Sequence, residues 1–131
     1  MAKSKSDSWR DRDRKVLWHP FTQHQVWEEE SFPVIESADG VYLVDVDGNR
    51  YLDGVSSLWC NVHGHRKKQI DQAIQKQLEK MAHATFLGLT HPPAIELAEK
   101  LVEISPAGLD RVFFSDNGST AVEVALKMAF Q

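Results

Sequence analysis

The run Arg111–Phe114, "RVFF", breaks into "SDNGST" and then into the apolar stretch "AVEVALKMA". Val and two Phe in a short apolar run read as a buried strand. Asn117 and Gly118 tolerate left-handed backbone and mark a turn. Thr120 with Glu123 fits the S/T-x-x-E capping box, which starts a helix there or one to three residues earlier. That helix is apolar almost all round, and only Glu123 and Lys127 break it, as an i,i+4 pair. Such a helix is buried, or lies between a sheet and another element. The unit is therefore strand, glycine turn, helix N-terminus. Free amide hydrogens and the positive end of the helix dipole converge on the turn. Gly118 lets a ligand approach the backbone, and Ser119 and Thr120 add hydroxyls, which suits a phosphate. A plain capped turn accounts for the pattern as well. The spacing is neither a Walker loop nor G-x-G-x-x-G, so ATP or NAD does not follow.

Upstream, "VYLVDVDGNRYLD" alternates β-branched and aromatic residues around Asp47-Gly48 and predicts a hairpin. Asp39-Gly40 marks a similar turn one strand earlier, so the first half contains a small antiparallel β unit. From Lys67, Ile70, Ala73, Ile74, Leu78 and Met81 share one face of a predicted amphipathic helix. A second helix starts at Pro92-Pro93, where a missing amide hydrogen costs nothing, and ends at Ser105-Pro106 and Gly108. The Thr90-His91 pair before it is a candidate cap. "VLWHPFTQHQVW", Val16 to Trp27, reads as a structured loop or short extended piece. Its aromatic residues Trp18, Phe21 and Trp27 either pack or line a pocket. "GVSSLWCNVHGH" reads as a lining loop or as packed histidines. His63 and His65, with only Cys60 nearby, fall short of a zinc set, and no metal is expected there.

A net charge of -4 argues against a general nucleic-acid binder. The single cysteine, Cys60, excludes an internal disulfide framework and fits a reducing compartment, so a cytoplasmic location is expected. No apolar run approaches the roughly 20 residues a membrane helix needs. The charged residues 1–15 have no apolar run after them and are expected to form a flexible, solvated arm rather than a secretory signal.

The stretches "GVYLVDVDGNRYLDGVSS", "NVHGHRKKQIDQAIQKQL" and "FFSDNGSTAVEVALKMA" resemble the N-terminal pattern of the fold type I pyridoxal-phosphate aminotransferases, in their class III branch. "LWHPFTQ", "DGVSSLW" and "GLTHPPAIELAEKL" are similar to the biotin-synthesis members of that branch, which move an amino group onto 8-amino-7-oxononanoate. The resemblance runs from Leu17 to Gln131. It implies pyridoxal 5'-phosphate as cofactor, with Gly118 and Ser119 matching the pair that binds its phosphate. It implies that Leu58, Trp59 and Phe21 shape the substrate pocket. Leu58 stands where many members carry Trp. Phe21 stands where members using S-adenosylmethionine commonly carry Tyr, so S-adenosylmethionine and lysine both stay open as donor.

The implied fold class is α/β, a small N-terminal β/α unit followed by the start of a large parallel-sheet domain. The segments expected are the arm at 1–15, a small-domain segment at 16–90 and the start of the cofactor-binding domain at 91–131. In this family the Schiff-base lysine lies well downstream of the phosphate turn, and no lysine here has that context. The chain is thus expected to be an N-terminal fragment, inactive and poorly folded alone, of a homodimeric enzyme. Two other readings remain: another class III ω-amino acid aminotransferase, and a non-catalytic assembly module.

Overall fold

The computed structural model describes residues 4–131. The chain divides into two compact units, Met1–Lys80 and Met81–Gln131.

The first unit is built on a three-stranded antiparallel meander, β1 (Ile35–Asp39), β2 (Tyr42–Asp45) and β3 (Arg50–Leu52). Both predicted turns are present. Asp39 pairs with Tyr42 across the first, and Val44 with Arg50 across the second. The second turn is organised by one carboxylate. Asp45 is only 4% exposed. It accepts hydrogen bonds from the backbone amides of Asp47 (3.0 Å) and Asn49 (2.8 Å). It also accepts from the Asn49 side-chain amide (2.9 Å) and the Tyr51 hydroxyl (2.8 Å). These bonds, led by that from the Asn49 side chain, outweigh the cost of burial and hold its pKa down to about 2. A depressed carboxylate pKa contributes stability that is present above the ordinary value near 3.8 and is lost as pH falls towards 2. Circular-dichroism melts should therefore show the wild-type protein losing stability across this window. Asp45→Asn should melt lower at neutral pH and respond less to acid over the same range.

The segment expected to be a flexible arm is instead helix α1 (Lys5–Val16), a correction to the sequence reading. The part of that expectation at residues 1–3 lies outside the described residues. A reciprocal cap starts α1: Asp7 N–H donates to Ser4 Oγ (3.0 Å), and Ser4 N–H donates to Asp7 Oδ2 (3.3 Å). Arg10 Nε donates to the Phe32 carbonyl (2.7 Å) and Arg14 to the Glu30 carbonyl (2.8 Å). Ser6 Oγ donates to Asp47, tying the helix to the β2–β3 turn. These partners are far off in sequence, so a charged composition gave no sign of them.

The aromatic stretch forms a loop and then α2 (His24–Glu29). Trp27 packs, stacked on Phe32 at 3.8 Å. Trp18 and Phe21 stay exposed. Past β3 comes α3 (Ser56–Trp59), a single turn, and then α4 (Lys68–Leu78), the predicted amphipathic helix, which ends before Met81, expected on its apolar face.

The second unit holds α5 (Pro92–Ile104) and α6 (Gly118–Phe130). The paired prolines occupy the first positions of α5 as expected, and Ser105 ends it. His91 sits at the N-cap but supplies no side-chain cap, so the expected Thr90-His91 cap is not made there. Arg111–Phe114 is not a strand. A strand requires a neighbour to complete its hydrogen bonds, and among the described residues none pairs with it. No apolar side chain among the described residues is fully buried. Ile74, Leu78, Val122 and Leu126 all keep more than half of their surface open. No helix among the described residues is long and apolar enough to cross a membrane.

Candidate functional site

In the second unit the turn before α6 is capped by Asn117, three residues earlier than Thr120. Asn117 Oδ1 accepts from Thr120 N–H at 3.0 Å. The Thr120 hydroxyl donates to Asp116 at 2.6 Å. That bond, the largest influence on the Asp116 carboxyl, holds its pKa below the ordinary value. Two sequence expectations change here. The box is Asn117 with Thr120, because Asn117 reaches the third amide of the helix. Glu123 instead pairs with Lys127 at 2.7 Å. Nor does the Thr120 hydroxyl face outward as a donor, since Asp116 engages it.

Gly118 and Ser119 open the helix, and both are exposed. The first amides of an α-helix have no acceptor within it. The Asn117 cap takes the third, leaving those of Gly118 and Ser119 to face the space beyond the helix end. A Cβ built on Gly118 meets nothing within 4 Å, and its φ is not left-handed. Among the described residues nothing gives a steric reason for glycine; a group that had to approach the backbone closely would give one.

In the first unit Leu58 and Trp59 sit on α3, 64% and 78% exposed. The backbone there is left-handed through four successive residues, with φ of 51° at Ser56, 47° at Ser57, 63° at Leu58 and 70° at Trp59. Left-handed backbone costs a side-chain-bearing residue about 1–2 kcal/mol. Such strain persists where surrounding contacts over-determine it, and it clusters at binding sites. The turn is closed by Trp59 N–H to the Val55 carbonyl (2.8 Å) and Cys60 N–H to the Ser56 carbonyl (2.9 Å). Phe21, in the loop before α2, is also left-handed, at φ 51°, and its ring is fully exposed.

Two residues support this turn: Asp53, which sequence reasoning did not single out, and His65, which it named only as a packed histidine. Asp53 accepts from Ser57 N–H and from Ser57 Oγ, each at 2.8 Å. It also binds His65 Nε2 at 2.7 Å, with 5% of the Asp53 and 13% of the His65 side chain exposed. The Ser57 amide first, and His65 next, hold the Asp53 carboxyl below its usual pKa. His65 is in turn bridged to Gly40: His65 N–H donates to the Gly40 carbonyl (2.7 Å), and Gly40 N–H to the His65 carbonyl (3.1 Å). His65 is thus one of the packed histidines. The only hint of its partner was an aspartate at the end of a predicted strand.

Over residues 24–131 the chain matches the family described as aminotransferase class-III. It is 58% identical over 130 residues to adenosylmethionine-8-amino-7-oxononanoate aminotransferase of Nitratidesulfovibrio vulgaris, covering 99% of this chain and 24% of that protein. It superposes with a TM-score of 0.89 on the crystal structure of the enzyme of that name from Methanocaldococcus jannaschii. That match is 46% identical and covers 95% of this chain and 28% of that one. An omega transaminase from Pseudomonas jessenii, solved in complex with PMP, gives a TM-score of 0.83 at 30% identity, covering 96% of this chain and 27% of that one. The chain spans about a quarter of the length of the curated relatives it matches.

Proposed function

Since the chain belongs to the class III aminotransferases, a pyridoxal-phosphate-dependent family, we propose that it is the N-terminal part of an aminotransferase of biotin synthesis. The reaction is transfer of an amino group to 8-amino-7-oxononanoate to give 7,8-diaminononanoate. The observation that carries the reading is 58% identity, across 99% of this chain, to a protein named for that reaction. The donor is S-adenosylmethionine or lysine. The working form is a cytoplasmic homodimer.

When bound, pyridoxal 5'-phosphate supplies the electron sink and the carrier for nitrogen between the two half-reactions. The residues of this chain bind and shape. The amides of Gly118 and Ser119, with the positive end of the α6 dipole, hold the phosphate, and the Ser119 hydroxyl adds a donor. The free helix start and the unexplained glycine support this assignment. Trp59, Leu58 and Phe21 line the substrate pocket by van der Waals contact. Phe21 offers a ring and no hydroxyl, so it positions a substrate by shape alone.

The test is an assay of the complete protein with 8-amino-7-oxononanoate and each donor in turn. Formation of 7,8-diaminononanoate with one donor is expected. Amination of simple oxo acids with no turnover of 8-amino-7-oxononanoate would make the protein an ω-amino acid aminotransferase instead. No amination of any oxo acid would leave a non-catalytic module.

A further inference from the structure

Asp53 and His65 have no role in the reaction as proposed, yet they are enclosed and tightly joined. The contacts run in one direction through the first unit. The turn between β1 and β2 holds His65 through its two backbone hydrogen bonds with Gly40. His65 Nε2 holds Asp53. Asp53 then holds Ser57 twice, through amide and hydroxyl. Ser57 lies inside the left-handed turn, immediately before Leu58 and Trp59. Ser, Leu and Trp have no preference for left-handed backbone, so the local sequence does not specify this turn. A carboxylate one residue past β3, tied back by its own N–H to the Val41 carbonyl (2.9 Å) and accepting the amide and the hydroxyl of one left-handed residue, does.

We propose that Asp53 and His65 are positioning residues. They hold Ser56–Trp59 left-handed and so set where Leu58 and Trp59 stand in the substrate pocket. The inference rests on the reading of Leu58 and Trp59 as substrate-lining residues. It makes acceptor binding, and not cofactor binding, depend on a carboxylate that touches neither. Small misplacements of binding groups cost up to about 100-fold in rate, so a partial loosening is expected to cost about tenfold.

The experiment compares wild type, Asp53→Asn and the double variant Asp53→Asn/Ser57→Gly in the complete protein. Asparagine keeps the size of the side chain but loses acceptors for the Ser57 hydroxyl and His65. The KM for 8-amino-7-oxononanoate should rise about tenfold in Asp53→Asn while affinity for pyridoxal 5'-phosphate is unchanged. Glycine adopts left-handed backbone without penalty, so Ser57→Gly should recover much of that loss in the double variant. Chymotryptic cleavage after Trp59 should be faster in Asp53→Asn and slower again in the double variant. An active wild type with an unchanged KM in Asp53→Asn overturns the proposal. So does a joint loss of acceptor and cofactor binding with a lowered melting temperature that Ser57→Gly does not relieve, which would make Asp53 a general pin of the fold. If wild type aminates no acceptor, the assignment of function fails on its own, and the cleavage rates still decide whether Asp53 holds the turn. Equal rates overturn that hold.

Discussion

Gly118→Val should lower the affinity for pyridoxal 5'-phosphate by about tenfold to a hundredfold while leaving the melting temperature of the cofactor-free protein nearly unchanged. The magnitude follows from losing one hydrogen bond to a charged group, about 1.5–3 kcal/mol, at 1.4 kcal/mol per tenfold. The direction on stability follows from geometry. A Cβ at this position meets nothing within 4 Å among the described residues, and its φ lies outside the left-handed region. The side chain would instead stand where, in the proposed site, the phosphate would reach the Gly118 and Ser119 amides. Gly118→Ala should show a smaller loss of the same kind. Equilibrium dialysis of the cofactor, paired with thermal melts of the cofactor-free protein, separates the two effects. A lowered melting temperature with unchanged affinity would show that the turn is a helix cap and nothing more.

Gly64→Ala should act on stability. Gly64 has φ +79°, and a Cβ there would stand 2.9 Å from the Gly40 carbonyl oxygen and 3.3 Å from its carbon. Both atoms are backbone and cannot swing aside. The left-handed angle alone costs about 1–2 kcal/mol. Displacing that turn also weakens the pair of hydrogen bonds between Gly40 and His65, each worth about 0.5–1.5 kcal/mol. A loss of about 2–4 kcal/mol is therefore expected, at the upper end of ordinary substitutions. Urea unfolding of the complete protein measures it. Gly48→Ala is a useful control, since Gly48 is also left-handed, at φ +87°, but has nothing within 4 Å of its Cβ position. Equal losses at the two positions would mean that the backbone angle dominates and the contact with Gly40 contributes little.

What the sequence disclosed follows the range of the interactions. The meander was legible because Asp47-Gly48 sets a tight turn between alternating residues, and a hairpin is decided locally. Helix α4 was legible from its apolar period, and α5 from its period together with the prolines that open it and the Ser105 that follows it. The helix after the glycine turn was legible, but its cap was not. Asn117 and Thr120 both carry capping side chains, and the sequence does not say which one reaches an amide. Helix α1 was missed because Arg10 and Arg14 find their partners 22 and 16 residues away. The left-handed turn was missed because Ser-Ser-Leu-Trp carries no Gly or Asn to announce it. What imposes it is a carboxylate whose other partner lies 12 residues on. Of the candidate site, the residues expected to touch ligand were named by resemblance to a family, and the contacts that join Asp53, His65 and Ser57 came only with the structure.

The way the left-handed turn is held also orders the assembly of the first unit. The two hairpins need only neighbouring residues, and such pairs form within about 1–10 μs. Docking His65 on Gly40 closes a longer loop and pays its entropy first. The left-handed turn gains its support only when that loop is closed and Asp53 has found His65. Its support therefore comes after the sheet and after the contact of His65 with Gly40, and is lost whenever that contact opens. Opening of that contact would leave the sheet formed and the Leu58-Trp59 face unheld.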